Sequence, residues 1–154
     1  MFINGLNRTQ TSERKLEGVK KAYQEFGIPY DPQRTEEAPF SGLGGYNAMK
    51  RLWMKGNRPT AVLTALDVLA MGAMRFLEEE GLRIPDNVSV TGYEDGILAE
   101  YCNPRLTTVC SKKSELGLQA SRTLVNRINN PNAQRVKLII QPELVIRETV
   151  RNIT

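Results

Sequence analysis

Thr60-Ala61-Val62-Leu63-Thr64-Ala65-Leu66-Asp67 runs directly into Val68-Leu69-Ala70-Met71-Gly72-Ala73-Met74-Arg75-Phe76-Leu77-Glu78-Glu79-Glu80-Gly81. The unbroken apolar run 61–65 predicts a short strand covered on both faces, the pattern of a parallel sheet. Asp67 is placed as the N-cap of a helix over 68–80, in which Leu69, Ala70, Ala73, Met74 and Leu77 share one side and Gly81 closes the end. A strand followed at once by a helix of this length is a βα unit.

The same unit recurs on both sides. Upstream, Phe2-Ile3 ends a strand at Asn4-Gly5, and a polar loop from Leu6 to Thr11 leads to a helix with Leu16, Val19, Tyr23 and Phe26 as its stripe and Gly27 as its left-handed cap. Residues 28–40, with three prolines, hold at most one short strand. A second helix follows over 41–55, with Ser41 as N-cap, Tyr46, Met49 and Trp53 on one face, and Gly56 at its end. Downstream come a strand at 88–91 ending at Gly92, a short helix at 97–102, a strand at 106–109, and a helix marked by Leu116, Ala120, Leu124 and Ile128. Residues 136–140 and 144–146 are expected to be closing strands.

Strands alternating with helices predict an α/β fold, a doubly wound parallel sheet with helices on both faces. In such sheets ligands bind beyond the carboxyl ends of the strands. That rule alone selects Asn4-Gly5, Leu66-Asp67, Gly92 through Asp95, and Ser111.

Composition narrows the chemistry. With 154 residues and 40% apolar content the chain supports one main core. Its 21 Lys and Arg against 17 Asp and Glu are interspersed, so the net charge of +4 argues only weakly for nucleic acid. The lysine pairs 20–21 and 112–113 are expected to be solvated surface. No histidine occurs, which removes serine–histidine catalysis and His-ligated metals; two cysteines, Cys102 and Cys110, supply neither a disulfide framework nor a zinc site. No metal, cofactor or catalytic residue is therefore expected, and no membrane span; unpaired thiols suit a cytoplasmic protein.

Individual residues leave choices open. Ser41-Gly42-Leu43-Gly44-Gly45-Tyr46 lacks the G-x-G-x-x-G spacing of a phosphate loop and reads as a flexible helix entry. Glu94 and Asp95 are adjacent in an extended segment, so they point apart and cannot act on one substrate together: one binds a ligand hydroxyl while the other caps backbone or meets solvent, or both are plain surface carboxylates. Phe40 stacks on a ligand or fills the core. Arg14 and Lys15 lie about 100° apart around the first helix, so only one of them faces the cleft.

Three stretches in register resemble the lactose-repressor (LacI/GalR) family: 59–67 with Ala70-Met71-Gly72, then 84–95 (Ile84-Pro85-Asp86-Asn87-Val88-Ser89-Val90-Thr91-Gly92-Tyr93-Glu94-Asp95), then 104–109 (Pro104-Arg105-Leu106-Thr107-Thr108-Val109). The end, Pro142-Glu143-Leu144-Val145-Ile146-Arg147-Glu148-Thr149, is similar to that family's closing strands. The resemblance implies a periplasmic-binding-protein-like sensor with residues 1–111 and 139–154 in the C-terminal subdomain and 112–138 in the N-terminal one. It further implies a transcriptional repressor whose effector, a sugar or sugar derivative, changes DNA affinity, with DNA contacted only through an N-terminal domain absent from this chain. The family's ligand positions fall on Lys15, Phe40, Leu66, Glu94 and Ser111. Three depart from its pattern: Lys15 stands for an Arg and loses the bidentate fork, Leu66 for an Asn, and Glu94 for an Asp, adding about 1.5 Å of reach. Met71 and Cys102 fall where the family forms its homodimer. Rival readings are an exported sugar-binding protein of a transporter, which shares the fold, and an α/β enzyme, which the missing histidine and unpaired carboxylates disfavour.

Overall fold

Six strands form one sheet in the order β2-β1-β3-β4-β5-β6. The computed structural model describes residues 1–6, 9–56 and 58–152; Asn7 and Arg8 of the loop expected at 6–11, and Ile153 and Thr154 of the closing segment, lie outside them. The strands are β1 (Phe2–Gly5), β2 (Thr35–Ala38), β3 (Ala61–Thr64), β4 (Ser89–Glu94), β5 (Thr107–Cys110) and β6 (Glu143–Val145). The helices are α1 (Gln10–Glu25), α2 (Gly42–Met54), α3 (Asp67–Glu79), α4 (Ile97–Tyr101) and α5 (Lys113–Asn129). β1 through β5 pair in parallel, whereas β6 runs antiparallel to β5, so the sheet is parallel except at that edge.

The chain leaves β1 toward β2, then crosses back over β1 to β3 and proceeds outward. The β1/β3 junction is thus the topological switch point, where two loops part and leave a crevice. Helices α2 and α3 cover one face, over a core that includes Ile3, Met49, Leu52, Val62, Leu69, Leu77 and Val90. On the other face α1 packs over β1 through Val19.

Several local expectations change. β3 is closed on one face only: Val62 and Thr64 are buried, but Leu63 is 44% exposed, because α1 packs chiefly over β1. Between α1 and the strands lies an apolar groove of about 390 Å³ lined in part by Phe2, Leu63, Tyr93, Val109 and Leu144. Phe26, expected in the α1 stripe, is 79% exposed, since it follows the last helical turn and Gly27 at φ +64° then turns the chain away. Residues 136–140 form no strand: Val136, Leu138 and Ile139 are exposed, and Val136, Leu138 and Ile140 line a hollow with Leu116, Ala120 and Leu124 of α5.

The glycines of the α2 entry have a packing role. A Cβ on Gly45 would come within 2.1 Å of Leu69 O, and one on Gly72 within 1.9 Å of Gly42 O, so α2 and α3 cross with their backbones touching. Tyr46 and Trp53 sit edge-on to Phe76 at the same seam, at 5.4 and 6.2 Å between ring centroids. The glycine run is therefore a helix–helix contact rather than a flexible entry, and Ser41 caps α2 by accepting from Gly44 N.

Candidate effector site at the carboxyl ends of the strands

Asn4, at the end of β1, is buried and fully occupied locally. Its amide donates to Ser12 O and its carbonyl accepts from Gly5 N, which fixes how the chain enters α1. Thr9 caps that helix by accepting from Ser12 N. From α1 Lys15 reaches across to β3, where its ammonium donates to Ala65 O at 2.8 Å and lies 3.8 Å from the centre of the Tyr93 ring. An ammonium over an aromatic face gains about 0.5–2 kcal/mol, more as it is desolvated. Burial pushes the Lys15 pKa down, and the carboxylates of Glu94 and Asp67 partly restore it. Arg14, the neighbour expected to point elsewhere, is exposed.

Asp67 is not the N-cap of α3. Leu66 holds that position without a side-chain hydrogen bond, and Asp67, 3% exposed, turns its carboxylate inward. There it accepts from Thr108 Oγ1 at 2.6 Å and from Gly96 N at 2.8 Å, tying β3, β5 and the loop after β4 together. The physical reason is that the buried Thr108 hydroxyl and Gly96 N–H need an acceptor more than a solvated helix start does. Burial raises the Asp67 pKa, against the pull of those two hydrogen bonds, with Glu94 and Asp95 adding to the rise.

Glu94 and Asp95 do part company. Asp95 pairs with Arg147 at 2.8 Å in a mostly buried contact, and Arg147 also donates to Leu106 O. Glu94 keeps a left-handed φ of +120°, followed by Asp95 at +54°. Non-glycine residues held there carry strain of about 1–3 kcal/mol, a cost that clusters at functional sites. The Glu94 carboxylate lies 3.2 Å from Lys113 Nζ.

The remaining predicted residues take these places. Phe40 is half-exposed after β2, with its ring so close over Gly5 that a Cβ there would fall 2.0 Å from Phe40 Cζ. Leu66 is half-buried at the start of α3, and Ser111 half-buried just beyond β5. All five positions thus follow the carboxyl ends of parallel strands or, for Lys15, reach one. Lys15 and Glu94 share an electrostatic neighbourhood; the groove that includes Lys15 faces α1 and is not lined by Phe40, Leu66, Glu94 or Ser111. Met71 lines a separate hollow of about 330 Å³ with Leu43, Tyr46 and Arg75. The Cys102 thiol turns inward onto Pro104 O at 3.2 Å, while Ile97, Leu98 and Tyr101 of α4 are exposed.

Residue-level reading selected the stretch that holds Tyr93 but gave that ring no role, and it missed the inward turn of Asp67 and the pairing of the lysine doublet. Both lysines of the doublet lie at the surface as expected, and each has a partner there: Lys112 pairs with Glu143 at 3.3 Å and Lys113 with Glu94.

This arrangement can be compared with known proteins. The sequence matches the family described as periplasmic binding protein-like domain over residues 1–150. It is 38% identical over 149 residues to the ribose operon repressor of Haemophilus influenzae, covering 97% of this chain and 45% of that protein. The chain belongs to the LacI/GalR family, as a periplasmic binding protein-like domain. Another family member, the HTH-type transcriptional repressor PurR of Histophilus somni, is 35% identical over 152 residues, 99% of this chain and 46% of its own. Among solved LacI/GalR-type structures, a transcriptional regulator CelR–cellobiose complex superposes with a TM-score of 0.89 at 30% identity, covering 97% of this chain and 46% of that one. The Lac repressor bound to ONPG superposes with a TM-score of 0.87 at 28% identity, covering 97% and 44%. The chain spans about half the length of the relatives it matches. No helix among the described residues is long and apolar enough to cross a membrane.

Proposed function

We propose that this chain forms one wall of the effector pocket of a transcriptional repressor, and that the effector is a sugar or sugar derivative. The observation that carries this reading is the Lys15 ammonium, fixed at the β1/β3 switch point by Ala65 O and Tyr93 and lying in the field of Glu94. A cation and a carboxylate at one sheet edge suit a ligand rich in hydroxyls, which both accept and donate. Phe40 offers an aromatic face for stacking; Ser111 adds a hydroxyl and Leu66 an apolar wall. That relatives are named as repressors favours this reading over a transporter's binding protein, and the CelR structure contains cellobiose.

In this reading residues 1–111 and 139–154 make one subdomain and 112–138 belong to a second. The support is that α5 buries no side chain against the sheet. An effector contacted from both subdomains favours their closed arrangement, and DNA affinity, exerted through a domain outside this chain, changes by linkage, commonly by about 1–3 kcal/mol. Pairing into a homodimer would use the surface around Met71, Cys102 and the exposed residues of α4.

Replacing Glu94 with Ala in the intact repressor is expected to weaken sugar binding about 10- to 150-fold, the loss of one charge-assisted hydrogen bond of about 1.5–3 kcal/mol. Titration calorimetry with the best ligand from a thermal-shift screen of sugars checks this. An unchanged isotherm removes Glu94 from the site.

A further inference from the structure

We propose that Lys113 is an internal competitor for the effector: in the empty chain its ammonium occupies Glu94, and an effector that takes Glu94 releases the start of α5. The proposal rests on the reading of Glu94 as an effector-binding carboxylate. Register puts Glu94 of β4, Cys110 of β5 and Glu143 of β6 side by side at the carboxyl edge. The chain leaves β5 through Ser111 and turns at Lys112, whose left-handed backbone (φ 50°, ψ 47°) starts α5.

That turn sends two successive lysines to opposite sides of β5. Lys112 goes to Glu143 at 3.3 Å, and Lys113 to Glu94 at 3.2 Å. Because α5 buries no side chain, its first turn is tied to the sheet chiefly by this clasp and the link through Ser111. Half of the clasp is a carboxylate that an effector would claim. With side chains 52% and 44% exposed, the Lys113–Glu94 pair is weak enough to be displaced. An effector hydroxyl on Glu94 leaves Lys113 unpaired, and the Lys112 turn is then the pivot on which α5 can reorient. Occupancy is thereby reported to the segment that departs from the sheet.

Two measurements test this. In the 154-residue chain without any sugar, amide exchange over 113–117 is expected to quicken in both Lys113→Gln and Glu94→Gln, and the double variant to exchange no faster than either. Additive effects, or none, overturn the proposal. In the intact repressor, with D-ribose and cellobiose as calorimetric probes, Lys113→Gln is expected to tighten binding of a probe about two- to five-fold, the worth of an exposed ion pair. Weaker binding in Lys113→Gln would make Lys113 an ordinary ligand contact and overturn the competition. If neither probe binds either protein, the sugar reading of the site fails, and the exchange result alone decides the role of Lys113.

Discussion

Asp67→Ala is expected to destabilise the domain by roughly 2–4 kcal/mol. The substitution strands the buried Thr108 hydroxyl and the part-buried Gly96 N–H, both now satisfied by one carboxylate; an unpaired buried group costs about 1–3 kcal/mol, and one that water can reach costs less. Relief from burying a charge whose pKa is already raised works the other way, so the sum falls short of the two full penalties. Thermal unfolding should register a drop on the order of 10 °C for a domain of this size. A drop within about 1 °C would mean that water replaces the carboxylate at no cost, and that β3, β5 and the loop after β4 are not joined through this residue.

Gly72→Ala is the second large effect. Its methyl would sit 1.9 Å from Gly42 O and 2.5 Å from Tyr46 N, both backbone atoms that cannot rotate aside. Either α2 and α3 separate or the substituted helix bends, and overpacking of this kind costs about 1–3 kcal/mol. Gly18 in α1 provides the control, since a Cβ added there would meet nothing within 4 Å. Gly18→Ala should accordingly stabilise by about 0.5–1 kcal/mol, the helix-propensity gain alone. Denaturant unfolding of the two variants should therefore shift in opposite directions. Equal shifts would deny that the α2–α3 seam depends on backbone contact.

Much of the architecture was legible because period and punctuation agree. The run 61–65, the stripe of α3 and the glycines at 27, 56 and 81, all at positive φ, mark elements that the structure contains. Local sequence was a weaker guide where a residue's partner is remote. Asp67 has the right type and place for a cap, yet a hydroxyl 41 residues away claims it. The apolar, β-branched residues at 136–140 have the composition of a strand, but pairing depends on an edge that sequence does not supply. Leu63 belongs to an apolar run whose cover depends on where α1 lies.

The site was legible in part. The rule of strand ends selects the right edge of the sheet, and the family resemblance selects particular positions on it. What neither conveys is occupancy: Asn4 is consumed by its own loop, Asp95 by Arg147, and Glu94 already has Lys113. Those assignments follow from strand register and from the left-handed turns at Glu94, Asp95 and Lys112, which bring together groups far apart in the chain.

Under the proposed function, amide hydrogen exchange on the full-length protein, with and without saturating sugar, tests the account most directly. Slower exchange is expected in the segments at 9–15, 65–67, 93–96 and 110–111, with the exposed flank of α2 and the far end of α3 unchanged. Slowing confined to the α2–α3 face, or to the opposite edge of the sheet near Thr60 and Asn87, would contradict it.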